Sequence, residues 1–374
     1  MSFAPIQTRE TTATMLGLGT AVPQHCVNRS ASANFATKTS CISPQESRKV
    51  QALYRRTGIE QRGSVLLNES AEHEVINDFY PPAETTQDRG PGTKSRNDRY
   101  RIEAPKLANQ AASRALAASG LAPEEITHLI TVSCTGFNSP GIDISLIDTL
   151  QLPFTTERVQ VGFMGCHAAV NALAVAASHA AMHPENRVLV VCVEVSSIHF
   201  HTDPRLDRLI SNTLFADGAA ATVVTNEPGD HEPGNIELAT TASTILPATA
   251  EMMGWEIGDH GFEMTLGARV PEAIGEAIPT WIDSILSEQG LNRADIGGWA
   301  IHPGGPKVID VVMECLDLPE GADQPSRTIL RDHGNMSSAT LLHILRRLQI
   351  DDVPRPWIGL AFGPGLAGEF ILLK

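Results

Sequence analysis

The sequence lacks the cysteine spacing of a zinc site or of a disulfide framework. It contains six cysteines, none of them in a Cys-x-x-Cys pair, whereas zinc sites and disulfide-rich scaffolds show clustered pairs. It also lacks an apolar run approaching the roughly 18 residues of a membrane span, and the first residues do not have the pattern of a secretory leader. We therefore expect a reduced, cytoplasmic, soluble protein with no bound metal.

Positive charge is scarce as well. The chain has 28 Lys and Arg residues against 43 Asp and Glu residues, for a net charge of −15. A general nucleic-acid surface requires the opposite balance, so we exclude that class of function. An acidic protein can still carry a local cationic path for an anionic ligand.

What the chain does contain is an internal repeat. The stretch SGLAPEEITHLITVSCTG, from Ser119, is echoed by QGLNRADIGGWAIHPGG, from Gln289, and the glycines Gly120 and Gly290 differ by 290 − 120 = 170 positions. Each copy has Gly-Leu, a short polar turn, an apolar run and a glycine-containing end. The repeat predicts two equivalent halves.

The segments after each copy follow the same order. Small or apolar residues of helical character lie between apolar runs typical of buried strands, at 128–134, 167–182 and 187–195 in the first half and at 297–302, 334–348 and 356–362 in the second. We predict an α/β fold of layers α-β-α-β-α with pseudo-twofold halves, in which helices lie between two sheets.

Two Pro- and Gly-rich stretches are predicted to be irregular. The segment 226–235 has two Pro-Gly pairs and is the best linker candidate, which divides the chain into domains 1–228 and 229–374. The polar segment 77–99 is predicted to be an exposed loop, followed by a helix that ends at Gly120.

Three residues near the ends of the repeated units suggest chemistry. Cys166 and Asn335 differ by 335 − 166 = 169 positions, and each follows a glycine and precedes a helix, while His302 ends an apolar run. Taken singly, each has an ordinary interpretation: a buried cysteine, a surface histidine and a helix N-cap. Together they predict a nucleophile at a helix N-terminus, a nearby imidazole and an amide donor.

Such a trio suits carbon–carbon bond formation driven by decarboxylation. The acyl group must be held as a thioester, which requires a thiolate, and the leaving of carbon dioxide requires donors for an enolate oxygen. Histidine and asparagine can supply two neutral donors, whereas a carboxylate in their place would suit proton abstraction. We expect the helix N-terminus, and a protonated histidine close by, to hold the pKa of Cys166 well below its free value.

The motifs that surround these residues resemble those of type III polyketide synthases, the chalcone and stilbene synthase family within the thiolase-like condensing enzymes. The resemblance extends from about residue 15 to the C-terminus and rests on GFMGCHAA, LFADGAAA, HPGG, GNMSSAT and AFGPGL. It implies a thiolase-like fold, with Cys166 as the acyl-carrying nucleophile and with His302 and Asn335 activating it and binding the malonyl-CoA thioester carbonyl.

The resemblance also implies a set of cavity residues. Phe215 resembles the aromatic gatekeeper between the CoA tunnel and the reaction cavity, and Met264 stands where the family has a second gatekeeper phenylalanine. A flexible thioether there would leave a softer and wider passage. Cys134 and His199 fall on cavity-lining positions, although as ordinary residues they would fill the core.

Four basic residues resemble the segment that meets the CoA phosphates in this family. They are Arg55, Arg56, Arg62 and Lys307, which could equally be solvated surface charges. The segment SPGID (139–143) resembles the one that crosses the subunit boundary, so a homodimer is expected. CoA thioesters are implied as substrates, with no cofactor, no carrier protein and no metal.

The combined hypothesis is an enzyme that loads an aliphatic acyl-CoA starter of medium or long chain, extends it with malonyl-CoA and releases an alkylpyrone or alkylresorcinol-type product. The nearest alternative is a ketoacyl-carrier-protein synthase of the initiating kind, with the same trio. A hydroxymethylglutaryl-CoA synthase is disfavoured because the motifs around the trio contain no glutamate. A catalytically silent CoA-binding scaffold is the alternative from another class.

Overall fold

The computed structural model describes residues 8–40, 43–69, 75–77, 79–82, 85, 87–203, 205–227 and 234–374. The strands are β1 (Thr8–Glu10), β2 (Thr14–Ala21), β3 (Cys26–Asn28), β4 (Gln61–Gly63), β5 (Leu67–Glu69), β6 (Val75–Asn77), β7 (His128–Ser133), β8 (Glu157–Gly162), β9 (Arg187–Val195), β10 (Asp217–Thr225), β11 (Ile236–Ile245), β12 (Met253–Gly258), β13 (Gly261–Leu266), β14 (Gly298–Ile301), β15 (Trp357–Gly363) and β16 (Ala367–Leu373). The helices are α1 (Arg29–Thr39), α2 (Pro44–Arg56), α3 (Thr93–Ser119), α4 (Ile142–Leu150), α5 (Ala168–Met182), α6 (Leu206–Leu214), α7 (Val270–Glu288), α8 (Pro306–Cys315), α9 (Gln324–His333) and α10 (Ala339–Ile350).

The main sheet has two equivalent halves, in the strand order β14-β15-β16-β11-β2-β10-β9-β7-β8. In the first half β7 is parallel to β9, and β10 is antiparallel to both β9 and β2. In the second half β14 is parallel to β15, and β16 is antiparallel to both β15 and β11. Within the main sheet the halves are joined by β2 and β11, which pair over two positions, and by β1, which pairs with β11 over three. The matching pattern confirms the predicted duplication.

Alternation along β9 shows how the layers are built. Val188, Val190 and Cys192 face a core shared with α5 and α10, whereas Leu189, Val191 and Val193 face α3, because successive side chains of a strand point to opposite faces. The outer face of the second half packs against α7 and α8. The order of layers is therefore α3, sheet, α5 with α10, sheet, α7, as the predicted thiolase-like α-β-α-β-α fold requires.

Helix α5 fits between the two sheet halves because its buried side chains are small. Six of its alanines are at most 5% exposed and belong to the central core, namely Ala168, Ala169, Ala172, Ala176, Ala177 and Ala180. Larger side chains at these positions would overfill a core that is packed as densely as a crystal. The helix that follows Cys166 is thus held tightly from both sides.

The repeat has the same spacing in three dimensions. Strands β7 and β14 begin at residues 128 and 298, and β9 and β15 begin at 187 and 357, a separation of 170 in both cases. Gly120 and Gly290, which follow α3 and α7, have φ values of 72° and 65°. This left-handed conformation is the usual helix stop and favours glycine.

The predicted loop 77–99 is wrong at its C-terminal end, because α3 already begins at Thr93. Arg96 is fully buried there and donates from Nη1 to the carbonyl oxygens of Ile198, at 2.6 Å, and Phe200, at 2.8 Å. Polar composition suggested a loop, whereas these tertiary hydrogen bonds hold a helix. Pro105 lies inside α3.

Parts of two predictions lie outside the described residues. They are residues 228–233 of the linker and residues 78, 83, 84 and 86 of the loop, so the domain boundary at 228 and 229 stays a prediction. Among the helices that the structure describes, none is long and apolar enough to cross a membrane.

Candidate active site

Cys166 lies in a single turn of 3₁₀ helix, Gly165–His167, that leads directly into α5. Gly165 has a φ of 77°, and a Cβ atom there would come within 2.5 Å of the Cδ atom of Pro364. Only glycine suits both conditions. The AFGPGL segment of the second half therefore packs against the turn that presents the thiol.

Asn335 lies between α9 and α10, at the end of the segment that reaches the first half. Its backbone N–H donates to the carbonyl of Leu214 at 2.9 Å, and its carbonyl accepts from the N–H of Ala216 at 2.8 Å. The side-chain Oδ1 accepts from the N–H of Ser337 at 2.8 Å. Because α10 begins at Ala339, Asn335 is not the N-cap that its residue type suggested.

His302 follows β14, at the carboxyl end of a strand, where open α/β folds bind ligands. Its backbone N–H donates to the carbonyl of Leu360 at 2.7 Å, and the imidazole side chain is fully buried. Neither ring nitrogen of His302 has a hydrogen-bond partner among the described residues, nor does Nδ2 of Asn335. Buried polar groups are normally paired, so these atoms are available for an incoming ligand.

Burial dominates the electrostatics of the trio. It raises the pKa of the Cys166 thiol to about 11, although the nearby Ser337 hydroxyl and Asn335 amide act in the opposite direction. Burial, reinforced by His167, lowers the pKa of His302 to about 3. The expectation of an imidazolium beside a thiol of low pKa is thus not met, because desolvation penalises both charged forms. The site holds a neutral thiol and a neutral imidazole.

A cavity of about 650 Å³ extends from Cys166 and Asn335. Much of its wall is apolar, with Leu206, Ile210, Leu214, Leu266 and Val270 among the lining residues. His302 does not line this cavity, although the next turn does, through Gly304 and Gly305. The thiol and the amide thus face one apolar space together.

Phe215 lines this cavity and also a second one of about 200 Å³. Met264 lines the main cavity and pairs across β12 and β13 with Trp255. The indole of Trp255 lies 6.1 Å from the Phe215 ring, centroid to centroid, and its Nε1–H donates to the carbonyl of Cys134 at 2.7 Å. An aromatic neighbour of Phe215 is therefore present, supplied by Trp255, which the sequence analysis missed.

Cys134 lines the main cavity above a buried polar cluster. Its Sγ lies 3.2 Å from the hydroxyl of Ser337 and 3.5 Å from Oε1 of Glu194. The carboxyl of Glu194 also accepts from the hydroxyls of Thr135, at 2.8 Å, and Ser338, at 2.5 Å. Burial raises the pKa of both Cys134 and Glu194, which favours their neutral forms.

Glu194 is a second residue that sequence analysis missed. It lies near Cys134 and supports the backbone there through the N–H of Cys134, at 3.1 Å, yet it does not line the main cavity. The available signal was an acidic residue inside the apolar strand RVLVVCVEV. The motifs around the trio contain no glutamate, yet the fold places Glu194 next to Cys134, a residue of the cavity wall.

His199 lines the second cavity rather than the main one. Its Nε2–H donates to the carbonyl of Thr135 at 2.6 Å, and its Nδ1 accepts from the N–H of Phe262 at 2.9 Å. The ring stacks on that of Phe262 at 4.2 Å. Burial lowers the pKa of His199 to about 3, so it is a neutral ring whose two nitrogens are already paired.

The four basic residues separate into two groups. Arg56 and Lys307 line the main cavity from α2 and α8, and Arg55 is exposed beside Arg56. Arg62, in contrast, is 9% exposed and donates from Nη1 to the carbonyls of Asn212, at 2.6 Å, and Phe215, at 3.3 Å. Arg62 is thus a correction to the phosphate-binding set, because its guanidinium points behind Phe215 into the second cavity.

The fold, in which Cys166 and Asn335 line one cavity, is that of the thiolase-like class of condensing enzymes. The N-terminal domain of chalcone and stilbene synthases matches residues 2–228, and the C-terminal domain matches residues 237–374. The chain therefore belongs to the chalcone and stilbene synthase family, the type III polyketide synthases, which are acyltransferase-type condensing enzymes.

Similar proteins with polyketide synthase names support the assignment to this family. The chain is 30% identical over 369 residues to the alpha-pyrone synthesis polyketide synthase-like Pks18 of Mycobacterium tuberculosis. This alignment covers 97% of this chain and 91% of Pks18. It is 35% identical over 272 residues to the 1,3,6,8-tetrahydroxynaphthalene synthase of Streptomyces peucetius subsp. caesius, 72% of each protein. The probable polyketide synthase 1 of Dictyostelium discoideum is longer: 29% identity extends over 96% of this chain and 11% of that protein.

Solved structures show the same fold. The PKS-I of the brown alga Ectocarpus siliculosus superposes with a TM-score of 0.90 and 26% identity, covering 98% of this chain and 99% of that one. The C-terminal type III polyketide synthase domain of Steely1 from Dictyostelium gives a TM-score of 0.87 with 28% identity, covering 97% and 99%.

The exposure of Cys166 to the cavity predicts selective alkylation. At pH 8, iodoacetamide should modify Cys166 at least about tenfold faster than Cys192, because Cys192 is fully buried in β9 and only a thiolate that a reagent can reach reacts. Peptide mass spectrometry over time measures both rates, and the exposed Cys26 is the internal reference. Equal rates for Cys166 and Cys192 would contradict an open catalytic cavity.

Proposed function

We propose that this type III polyketide synthase loads an aliphatic acyl-CoA starter on Cys166, extends it repeatedly with malonyl-CoA and releases a cyclised alkylpyrone or alkylresorcinol. The observation that carries this proposal is the shared cavity of Cys166 and Asn335, apolar along much of its wall and lined by Arg56 and Lys307. In this reaction CoA thioesters are substrates, and the chain uses no resident cofactor.

Loading begins with removal of the thiol proton. Since the pKa of Cys166 is raised to about 11, a base must accept that proton as the sulfur attacks the starter thioester, and the neutral His302 is the candidate. The new Cys166 thioester forms as the bond to the CoA sulfur breaks, and CoA leaves with the proton that His302 carried. His302 is then neutral again for the next step.

Extension uses the unpaired donors of the site. The thioester carbonyl of malonyl-CoA accepts from Nδ2–H of Asn335 and from an N–H of His302, both of which lack other partners. As carbon dioxide leaves, these donors stabilise the enolate oxygen without protonating the carbanion. The carbanion attacks the Cys166 thioester, forms the new carbon–carbon bond and returns Cys166 as a thiolate.

The apolar wall of the main cavity and its two cationic residues support the proposed substrate class. Arg56 and Lys307 can pair with CoA phosphates, and the aliphatic lining gives an aliphatic starter apolar contacts. Pks18, named for alpha-pyrone synthesis, supports a pyrone product, while the naphthalene synthase illustrates another outcome in the family. The match of both domains to chalcone and stilbene synthases favours CoA substrates over those of a ketoacyl-carrier-protein synthase, and the intact trio argues against a silent scaffold.

A dimer is the proposed assembly, and its cytoplasmic location stays a prediction. Strand β8 is at the edge of the sheet with most of its residues exposed. Around it, Phe137 is 47%, Phe163 is 38% and Met164 is 40% exposed, close to the segment 139–143. An apolar patch beside an unpaired strand edge is typical of an interface between two copies.

The reaction is tested by mass spectrometry of products. Purified protein is given malonyl-CoA and a panel of aliphatic and aromatic acyl-CoAs, without carrier protein, beside Cys166→Ala. Cyclised polyketides from aliphatic starters should form with the wild-type protein only. Turnover of aromatic starters alone would contradict the aliphatic preference, and activity only after addition of malonyl-carrier protein would contradict the CoA-dependent reaction.

Removing the Asn335 amide should separate loading from extension. We expect Asn335→Ala to lower decarboxylation of malonyl-CoA about 10²–10³-fold, the usual effect of losing one oxyanion donor. Loading of the starter on Cys166, read by intact-protein mass, should persist because the backbone of Asn335 still pairs with residues 214 and 216. Equal loss of loading and decarboxylation would show that the side chain acts through the structure instead.

The dimer is tested by light scattering after size exclusion. The wild-type protein should have twice the mass of one chain, and Val159→Lys on β8 should shift it towards the monomer because it places charge at the strand edge. Ile350→Lys, at an exposed position at the end of α10, is the control and should stay dimeric. A monomeric wild-type protein would refute the proposed assembly.

A further inference from the structure

A second cavity of about 200 Å³ lies beside the catalytic one. Ser196, Phe215 and Trp255 line both cavities, so these three side chains form the partition between them. Helix α1 closes the far side through Ala31, Ser32 and Phe35. The two cavities are therefore neighbours that share part of their walls.

Two hydroxyl groups of this cavity are buried without partners. Ser32 is 6% and Ser196 is 7% exposed, and neither Oγ makes a hydrogen bond with any described residue. A buried hydroxyl left unpaired costs free energy. Since both groups line the same space, an acceptor in the cavity would satisfy them.

A positive charge lines the same space without a carboxylate partner. Arg62 donates to the carbonyls of Asn212 and Phe215 and lies 5.0 Å from the centre of the Tyr54 ring, but none of the described carboxylates forms an ion pair with it. A buried charge is costly unless it is paired. The Arg62 guanidinium is thus held in place and can pair with an anionic group of a ligand.

No carboxylate of the described residues lines this cavity. The buried carboxyl of Asp217 is not part of the lining, and it already accepts from the N–H groups of Val65, at 2.8 Å, and Ser197, at 2.7 Å, and from the Ser197 hydroxyl at 2.6 Å. Both nitrogens of His199 are paired within the protein. Among the described residues that line the cavity, Arg62 has a charge without an ion-pair partner, and Ser32 and Ser196 have buried hydroxyls without a hydrogen bond. All three side chains can donate to an anion.

We propose that the second cavity is a subsite for the carboxylate at the far end of the acyl chain, so that the starter is an aliphatic dicarboxylic acyl-CoA. Arg62 pairs with the carboxylate, and Ser32 and Ser196 donate to its oxygens. The methylene groups lie along the apolar surface of Phe215 and Trp255, while Ala31 and Phe35 supply apolar wall. This inference rests on the proposed function, and it narrows the class of aliphatic starter.

The test compares two starters of six carbons, adipyl-CoA with a terminal carboxylate and hexanoyl-CoA without one. In the wild-type protein the ratio of kcat/KM for adipyl-CoA to that for hexanoyl-CoA should be about ten or more, as expected for a charge-assisted hydrogen bond. Calorimetric titration of Cys166→Ala with each CoA measures the same preference as a ratio of Kd values, without any turnover.

Serine variants carry the decisive comparison, because Arg62→Gln also removes support from Phe215. Ser32→Ala and Ser196→Ala should each lower the ratio about threefold to tenfold, and Arg62→Gln should bring it near one. Ser40→Ala is the matched control: Ser40 follows α1, is 5% exposed and also has an unpaired buried hydroxyl, but it lines neither cavity. Its ratio should equal that of the wild-type protein.

The outcomes separate this subsite from the proposed reaction. The subsite is overturned if the ratio of kcat/KM for adipyl-CoA to that for hexanoyl-CoA is near one in the wild-type protein, or is equal in Ser32→Ala and Ser40→Ala. Extension of hexanoyl-CoA would still uphold the proposed reaction in that case. Tenfold tighter binding of adipyl-CoA to Cys166→Ala, with no extension of either starter by the wild-type protein, upholds the subsite and overturns the reaction.

Discussion

The backbone pairing of Phe215 with Asn335 is the contact on which the site depends. It joins a residue of the first half to a residue of the second, through two hydrogen bonds of 2.9 and 2.8 Å that involve Leu214 and Ala216. Arg62 adds a third hydrogen bond, to the carbonyl of Phe215. The amide that faces the thiol and the ring that divides the two cavities are therefore held by one short segment, and neither can shift without the other.

Cys166, the proposed nucleophile, is held across the same boundary. The turn of Cys166 belongs to the first half, yet it packs on Pro364 of the second, at a distance that excludes any residue but glycine at position 165. Helix α5 behind it is confined by both sheet halves, which its alanines permit. Because each half supports a residue of the other half, neither repeat alone contains the whole proposed site.

Sequence patterns predicted the regular parts of this fold well. The expected elements are present, namely the 170-residue repeat, the strands from His128 and Arg187 and the helix after Cys166. They could be predicted because apolar runs and helical periodicity are local properties of the sequence. The start of α3 was missed, since the buried hydrogen bonds of Arg96 connect segments about 100 residues apart. A polar stretch contains no local sign of such contacts.

The sequence by itself determined the family and the duplicated layout, and it proposed the trio, because these depend on residue types at set spacings. Only the tertiary structure decided which charges are exposed and which are enclosed. Arg56 and Arg62 are six positions apart in one basic segment, yet one lines the main cavity and the other is buried behind Phe215. It also decided that Cys166 and His302 are neutral and that Trp255 stands beside Phe215. Desolvation and cavity shape arise from atoms brought together from distant segments, so no local pattern can encode them.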